Sequence, residues 1–417
     1  MNSIRTQGVS RRSFVRILGA ASAAATSLPA FAALQQSGAP AVSAQSAKRG
    51  NMRGMQLSPD TVIISSNENP LGPAQSALTA IGTTATLGGR YHFDEYVKTI
   101  AVFNDQFGLK KDYSALFPGS GGPLDLALMS NIGPDKPLVY GDPSYEQGPR
   151  AADAMKAPKF PVPLTATYAH DVRAMVKAHP SPGAYYIVNP NNPTGTMTPK
   201  ADLVWLINNK PKGSVVIIDE AYHHFSDDES CIDLVAQDKD VIVMRTFSKI
   251  YGMAGIRAGF AVARPDLIER FDNVGGPSRS LASISITSAA AARASLQDKD
   301  LVPLRKKINS DIRAETLEFL TKHGYKIVPG SQGNMFMVDV KRPGKEFQSA
   351  MLRENVAIGR TWSAMPNYVR VTVGTKAEME KFQTAFVKCM DTPPGTANGA
   401  AALHLPEFHI PSELYRG

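Results

Sequence analysis

The stretch Thr246-Phe247-Ser248-Lys249, with Arg257 close behind, gathers two hydroxyls, an amine and a fixed cation. That set suits a phosphate-bearing aldehyde. Lys249 would form a Schiff base with the carbonyl, and Thr246, Ser248 and Arg257 would hold the phosphate. A lysine alone at such a place is usually just solvated; its neighbours argue for chemistry. A second group, Asp219-Glu220-Ala221-Tyr222, follows the apolar run Ser214-Val215-Val216-Ile217-Ile218. A carboxylate at the end of a buried strand is costly without a positive partner, and a protonated pyridine nitrogen would be one. Tyr222 could hydrogen-bond a phenolic oxygen on the same ring. Taken alone, the two also read as a surface Asp and a core Tyr.

Three further stretches fit the same ligand. Ala184-Tyr185-Tyr186-Ile187-Val188 runs into Asn189-Pro190-Asn191-Asn192-Pro193-Thr194-Gly195, a loop that presents the Asn192 amide to an oxyanion, or is simply a turn. Ala115-Leu116-Phe117 runs into Pro118-Gly119-Ser120-Gly121-Gly122. Glycines at a strand-to-helix turn let backbone N–H groups close on a phosphate, and the helix N-terminus adds positive potential. Asp142-Pro143-Ser144-Tyr145 places an aromatic where it could stack on a flat ring.

The elements that would position these groups alternate. Strands are expected at 115–117, 138–140, 184–188, 214–218 and 241–244, with helices near 94–107, 123–131, 145–155, 171–178 and 199–209. Runs that are apolar throughout, such as Tyr185–Val188 and Val215–Ile218, mark strands buried on both faces of a largely parallel sheet. Ligands bind beyond the carboxyl ends of such strands, which is where the candidate residues fall. Beyond a Gly- and Ser-rich stretch at 274–287, a helix at 301–322, strands at 334–340 and 368–373 and a helix at 375–388 suggest a smaller α+β domain. Order begins near Val62-Ile63-Ile64, and the N-terminal part is expected to join that smaller domain.

The chain has 417 residues and a net charge of +8. Four arginines in the first 32 residues (Arg5, Arg11, Arg12, Arg16) supply half of that excess. No basic stripe of the nucleic-acid-binding kind is present. Ser10-Arg11-Arg12-Ser13-Phe14-Val15-Arg16, the alanine-rich run from Ile17 to Leu28 and Ala30-Phe31-Ala32 together read as a twin-arginine signal with its cleavage site. The expectation is a periplasmic or secreted protein with no stable membrane anchor, handled in transit by the twin-arginine translocation machinery. Residues 33–58 read as a flexible linker. Cys231 and Cys389 lack metal-ligand spacing and are expected to be free, buried thiols; no metal site is expected.

Together these motifs resemble the class I/II aminotransferases of fold type I, which use pyridoxal 5′-phosphate, and within them the histidinol-phosphate aminotransferase branch. The likeness rests on Ser66-Asn67-Glu68-Asn69-Pro70-Leu71-Gly72-Pro73, Asn191–Gly195, Thr246–Lys249 with Ala254-Gly255-Ile256-Arg257-Ala258-Gly259, and Val369-Arg370-Val371-Thr372-Val373-Gly374. It covers residues 60 to 390. It implies an α/β fold: a large domain with a mostly parallel mixed sheet flanked by helices (76–285), a small α+β domain (286–391) joined by residues 59–75, and a tail from 392. Lys249 would be the Schiff-base lysine, with Asp219 on the ring nitrogen, Asn192 and Tyr222 on the 3′ oxygen and Tyr145 stacked on the ring. Ser120, Gly121, Gly122, Thr246, Ser248 and Arg257 would hold the phosphate, and Tyr91 would reach the partner subunit's cofactor in a homodimer. Arg370 would bind the substrate carboxylate, with Arg360 and Asn69 also at the substrate. The implied reaction moves an amino group between an amino acid and a 2-oxo acid with ping-pong kinetics. The alternative is a racemase, lyase or oxygen-using deaminase of the same fold. Intact Lys249, Asp219 and Arg370 argue against a silent binding protein.

The sequence departs from the family around Tyr91, where His92-Phe93-Asp94 follows; at Gly121-Gly122-Pro123; and at Thr361-Trp362-Ser363 beside Arg360. The export signal departs furthest, since histidine biosynthesis is cytoplasmic.

Overall fold

The computed structural model describes residues 57–275 and 284–392. The expected signal, most of the linker and nearly all of the expected tail lie outside them. The chain divides after Pro59, and everything below belongs to the unit that starts at Asp60.

Among the described residues eleven strands are formed: β1 (Val62–Ile64), β2 (Ser114–Phe117), β3 (Leu138–Asp142), β4 (Lys159–Pro163), β5 (Ala184–Val188), β6 (Val215–Asp219), β7 (Val241–Thr246), β8 (Gly259–Val262), β9 (Met335–Asp339), β10 (Val356–Ile358) and β11 (Tyr368–Thr372). Seven make one sheet, in the order β2-β8-β7-β6-β5-β3-β4. Its inner pairs are parallel, while β8 runs antiparallel to both β2 and β7. One reversed strand therefore leaves β2, β3, β5, β6 and β7 all pointing the same way. Their carboxyl ends and the amino end of β8 share one edge.

Every residue of β5 and β6 is buried. Ile187 and Val188 of β5 are wholly shielded, and removing each such side chain from water contributes roughly 1.5–3 kcal/mol. The two faces carry separate apolar cores. One includes the helix Phe93–Phe107, whose Tyr96 and Phe103 face inward. That helix stops at Gly108, which takes the left-handed conformation (φ 61°) that glycine adopts without cost.

A third core joins β1, β9, β10, β11 and the helix Lys376–Asp391. β1 pairs with β10 in parallel and β11 with β9 antiparallel. The N-terminal strand is thus part of this smaller layer. Its terminal helix opens with a capping box, in which Thr375 and Glu378 satisfy each other's backbone N–H groups. The helix Ile286–Gln297 lies beyond the expected boundary at 285. Its Ile286, Ala289, Ala291 and Ala292 nevertheless pack in the core of the large sheet, alongside Tyr96 and Phe103.

Two strands of the large sheet escaped the sequence reading, as did β10 in the smaller layer. β4 contains Pro161 and Pro163, residues that suit only an edge strand, and it is the outermost strand of the sheet. β8 opens on Gly259, a residue type depleted in strands. A Cβ there would lie 2.6 Å from the Gly119 carbonyl carbon and 2.8 Å from the Ser120 nitrogen, so only glycine lets β8 come this close to the loop after β2. Cys231 and Cys389 are both free and buried.

Candidate active site

β2 delivers Pro118–Gly122 to the shared edge, and the helix Gly121–Met129 begins there. Ser120 occupies its N-cap without a side-chain cap bond, and the first turn holds no acid. Its unsatisfied N–H groups and positive end are therefore uncompensated by protein charge. The Arg257 guanidinium lies directly over Gly119: a Cβ on that glycine would sit 2.1 Å from Arg257 Nη2. Arg257 donates to Ser248 Oγ (3.2 Å), and Thr246 Oγ1 is 3.0 Å from the same hydroxyl. Arg257 itself takes a left-handed backbone (φ 65°), unusual for a non-glycine residue. Two hydroxyls, a guanidinium and a helix N-terminus thus converge on one small region, and their chemistry fits a phosphate.

β6 ends at Asp219, which is 4% exposed. Its carboxylate accepts the Ala221 N–H (3.0 Å). Burial pushes its carboxyl up to about 6, opposed by that N–H and by the Lys249 charge. A buried carboxylate held by so little needs a cation, and a protonated ring nitrogen meets the need. The residues fit pyridoxal 5′-phosphate at both the phosphate and the ring. Lys249 follows β7; its Nζ donates to the Ser66 carbonyl (3.2 Å) and lies 5.4 Å from the Tyr222 ring centroid. Burial first, then the charge of Arg370, bring its amine down to about 8. The neutral, nucleophilic form is thereby far more populated than in an ordinary lysine.

Tyr222 is buried, and its hydroxyl accepts from Asn67 Nδ2 (3.0 Å). It can therefore still donate its own proton. Asn67 is fully buried with φ 52°, and its side chain also meets Thr372 Oγ1 (3.0 Å). The sequence reading assigned it nothing. Its neighbour Asn69, expected at the substrate, is instead tied to backbone: Nδ2 donates to the Ile250 carbonyl, and Oδ1 accepts from the Leu71 N–H. Asn191 bonds Ser144 and Thr194, which leaves Asn192 as the residue turned to the site.

Arg370, in the middle of β11, is buried. It donates to Asn192 Oδ1 (2.7 Å) and the Ser65 carbonyl (2.6 Å), while its Nε has no partner among the described residues. Arg360 is not free: its Nη2 pairs with the Glu146 carboxylate, and its guanidinium lies 4.9 Å from the Trp362 ring centroid and 5.9 Å from that of Tyr145. Tyr145 is largely enclosed, and burial pushes its phenol up to about 12. Tyr91 stands apart from all of these, 68% exposed and stacked on Phe93 at 5.6 Å. Lys249, Asp219, Tyr222, Asn192 and Arg370 are thus linked by contacts or charge, as are Thr246, Ser248, Gly119 and Arg257. Glu146, Trp362 and Asn67 are the residues that sequence reasoning missed.

The family model for aminotransferase class I and II matches residues 54–386. Histidinol-phosphate aminotransferase 1 of Nitrosococcus oceani is 32% identical over 326 residues, which is 77% of this chain and 86% of that protein. The aromatic amino acid aminotransferase of Cutibacterium acnes is 30% identical over 328 residues, 77% of this chain and 90% of its own length. In structure, the histidinol-phosphate aminotransferase of Sinorhizobium meliloti, solved with pyridoxal 5′-phosphate, superposes with a TM-score of 0.72. It is 23% identical, and the match covers 81% of this chain and 92% of that one.

Proposed function

Because the chain belongs to the class I and II aminotransferases, with their fold type I architecture and their pyridoxal 5′-phosphate, we propose that it works outside the cytoplasm, passing an amino group from an amino acid to a 2-oxo acid in two half-reactions. When bound, the cofactor supplies a carbonyl that captures amines and a ring that draws electrons from the substrate Cα.

The chain's own residues do the rest. Ser120, Gly121, Gly122, Thr246, Ser248 and Arg257 bind the phosphate. Asp219 holds a proton at the ring nitrogen, and Tyr145 stacks on the ring. Tyr222 donates its hydroxyl proton to the 3′ oxygen. Asn192 uses Nδ2 there, since its Oδ1 already accepts from Arg370. Arg370 orients the substrate carboxylate through its guanidinium. Lys249 Nζ would hold the cofactor's carbonyl carbon and would accept the proton from the substrate Cα. The observation that carries this reading is Asp219, a buried carboxylate that stands at a strand end within the field of the Lys249 amine.

Tyr91 would serve a second copy. It stands with Leu87, Phe93 and Val97 in one short exposed stretch, and burying those side chains favours a homodimer. Export rests on the sequence Ser10–Arg16 with Ala30-Phe31-Ala32; twin-arginine transit accepts folded cargo, so the cofactor can be loaded first. Replacing Arg11-Arg12 with Lys-Lys should trap the precursor in the cytoplasm, and normal export of that variant would sink the claim. Activity is tested by mass spectrometry of products from a panel of amino donors, with and without a 2-oxo acid acceptor (pyruvate and phenylpyruvate as well as 2-oxoglutarate) and under oxygen depletion. Oxo acid that exceeds one equivalent per active site only when an acceptor is present supports transamination. Product that depends on oxygen, or that turns over many times with no acceptor, overturns it.

A further inference from the structure

The substrate end of the site holds an acid that the reaction does not use. Glu146 follows Tyr145 and pairs with Arg360; the two side chains are only 29% and 20% exposed. Arg150 also lies near it, at 3.9 Å and 38% exposed, where solvent screens it more, and Glu146 acts on the Arg370 charge as well. Arg360 lies near the rings of both Tyr145 and Trp362, and Arg370 lies 5.4 Å from the Trp362 ring. The Trp362 ring is therefore within reach of both arginines. It is held there by its indole N–H, which donates to the Ser144 carbonyl (3.0 Å), and by packing with Val328, Met337 and Met365.

Resting on the aminotransferase reading above, we propose that Glu146 determines substrate specificity. By neutralising Arg360 it turns the distal side of the site from an anion receptor into an aromatic wall. The site then selects amino acids with one carboxylate and an uncharged, aromatic or apolar side chain. Arg370 is left to bind the single carboxylate. A second carboxylate or a phosphate would have to displace Glu146 or lie beside a like charge, and a polar group without a proper partner in such a site is strongly disfavoured. With the Tyr145 face assigned to the cofactor ring, the Trp362 ring is the surface that favours a flat side chain instead.

The test uses the mature holoenzyme and follows the cofactor's absorbance in single half-reactions. The donors are phenylalanine, tyrosine, glutamate, aspartate and O-phosphoserine. The expected kcat/KM for phenylalanine exceeds that for glutamate and O-phosphoserine by on the order of 10²-fold. In Glu146→Gln that ratio should fall about tenfold or more, because the acidic donors react faster. Comparing ratios within each protein cancels any loss of active material. Acidic donors that react as fast as phenylalanine in the wild type overturn the inference, as does a ratio that Glu146→Gln leaves unchanged. If no donor of either class converts the cofactor while borohydride still fixes it to Lys249, the aminotransferase reading itself fails and takes the inference with it.

Discussion

The cofactor end and the substrate end of this site are built in different ways. Pro118–Gly122, Asn192, Asp219 and Thr246–Lys249 all leave neighbouring strands of one sheet at one edge. Their spacing is set by the ladder itself, whose strands lie about 4.8 Å apart and are buried on both faces. The substrate end is assembled from pieces that share no ladder. Ser65 and Asn67 come from the segment after β1, Glu146 from the turn after β3, Arg360 and Trp362 from the chain after β10, and Arg370 from β11. Side-chain bonds across long sequence separations close it: Arg370 to Asn192 and Ser65, Asn67 to Tyr222, and Trp362 to Ser144. A scaffold of this kind can keep the cofactor chemistry fixed while the substrate wall changes by single residues.

The comparison implies an order of effects. The largest belongs to the cofactor end. Lys249→Ala should lower kcat by about 10⁴-fold or more, since it removes both the amine that holds the carbonyl and the base that moves the Cα proton. The phosphate contacts should still retain some cofactor, and borohydride should no longer attach it. Substantial turnover in this variant would remove Lys249 from the centre of the mechanism. Asp219→Asn comes next. It keeps the shape but loses the charge facing the ring nitrogen, and kcat should fall by on the order of 10²–10³-fold with little change in KM. An equal rise in KM would mean that Asp219 only builds the pocket.

Arg370→Lys probes the other end. Lysine keeps the charge but cannot make a planar two-bond grip, so kcat/KM should fall about 10- to 10²-fold, mostly through KM. A defect confined to kcat, with KM unchanged, would contradict its role as the carboxylate anchor.

The same division explains what could be read in the chain. β5, β6 and β7 are continuous apolar runs, so their ends, and the residues displayed there, were visible without a structure. β4 was hidden by its prolines and β8 by Gly259. Both are explained by where they sit, one at the sheet's edge and the other pressed against the Gly119 turn. Within Asn67-Glu68-Asn69 the types alone gave no reason to prefer Asn67 over Asn69. The left-handed backbone of Asn67 turns that side chain inward to Tyr222, while Asn69 closes its own turn. Glu146 carried no local signal. Its meaning lies in Arg360, brought beside it by the packing of the smaller layer onto the Tyr145 turn.

The smallest expected effect tests whether the two ends are as separate as they look. Burial and then Arg370 bring the Lys249 amine down to about 8 from the ordinary 10.5. Protonated lysine has no lone pair, so only the neutral form can recapture pyridoxal 5′-phosphate added to the stripped enzyme. With the amine at about 8, roughly a tenth is neutral at pH 7 and about nine-tenths at pH 9. Reloading, followed by absorbance, should speed up about tenfold across that window and then level off. An unshifted lysine would give a rate still climbing at pH 10. A neighbouring positive charge disfavours the ammonium, so removing it must raise the amine's pKa. Arg370→Gln should therefore move the midpoint of reloading upward, although Arg370 is assigned to the substrate and not to the cofactor. Measuring wild type and variant side by side cancels the titration of the free cofactor. A midpoint that stays where it was would mean that burial alone tunes Lys249 and that the two ends act independently. An upward move would mean that the arginine that receives the substrate carboxylate also keeps the lysine ready to react.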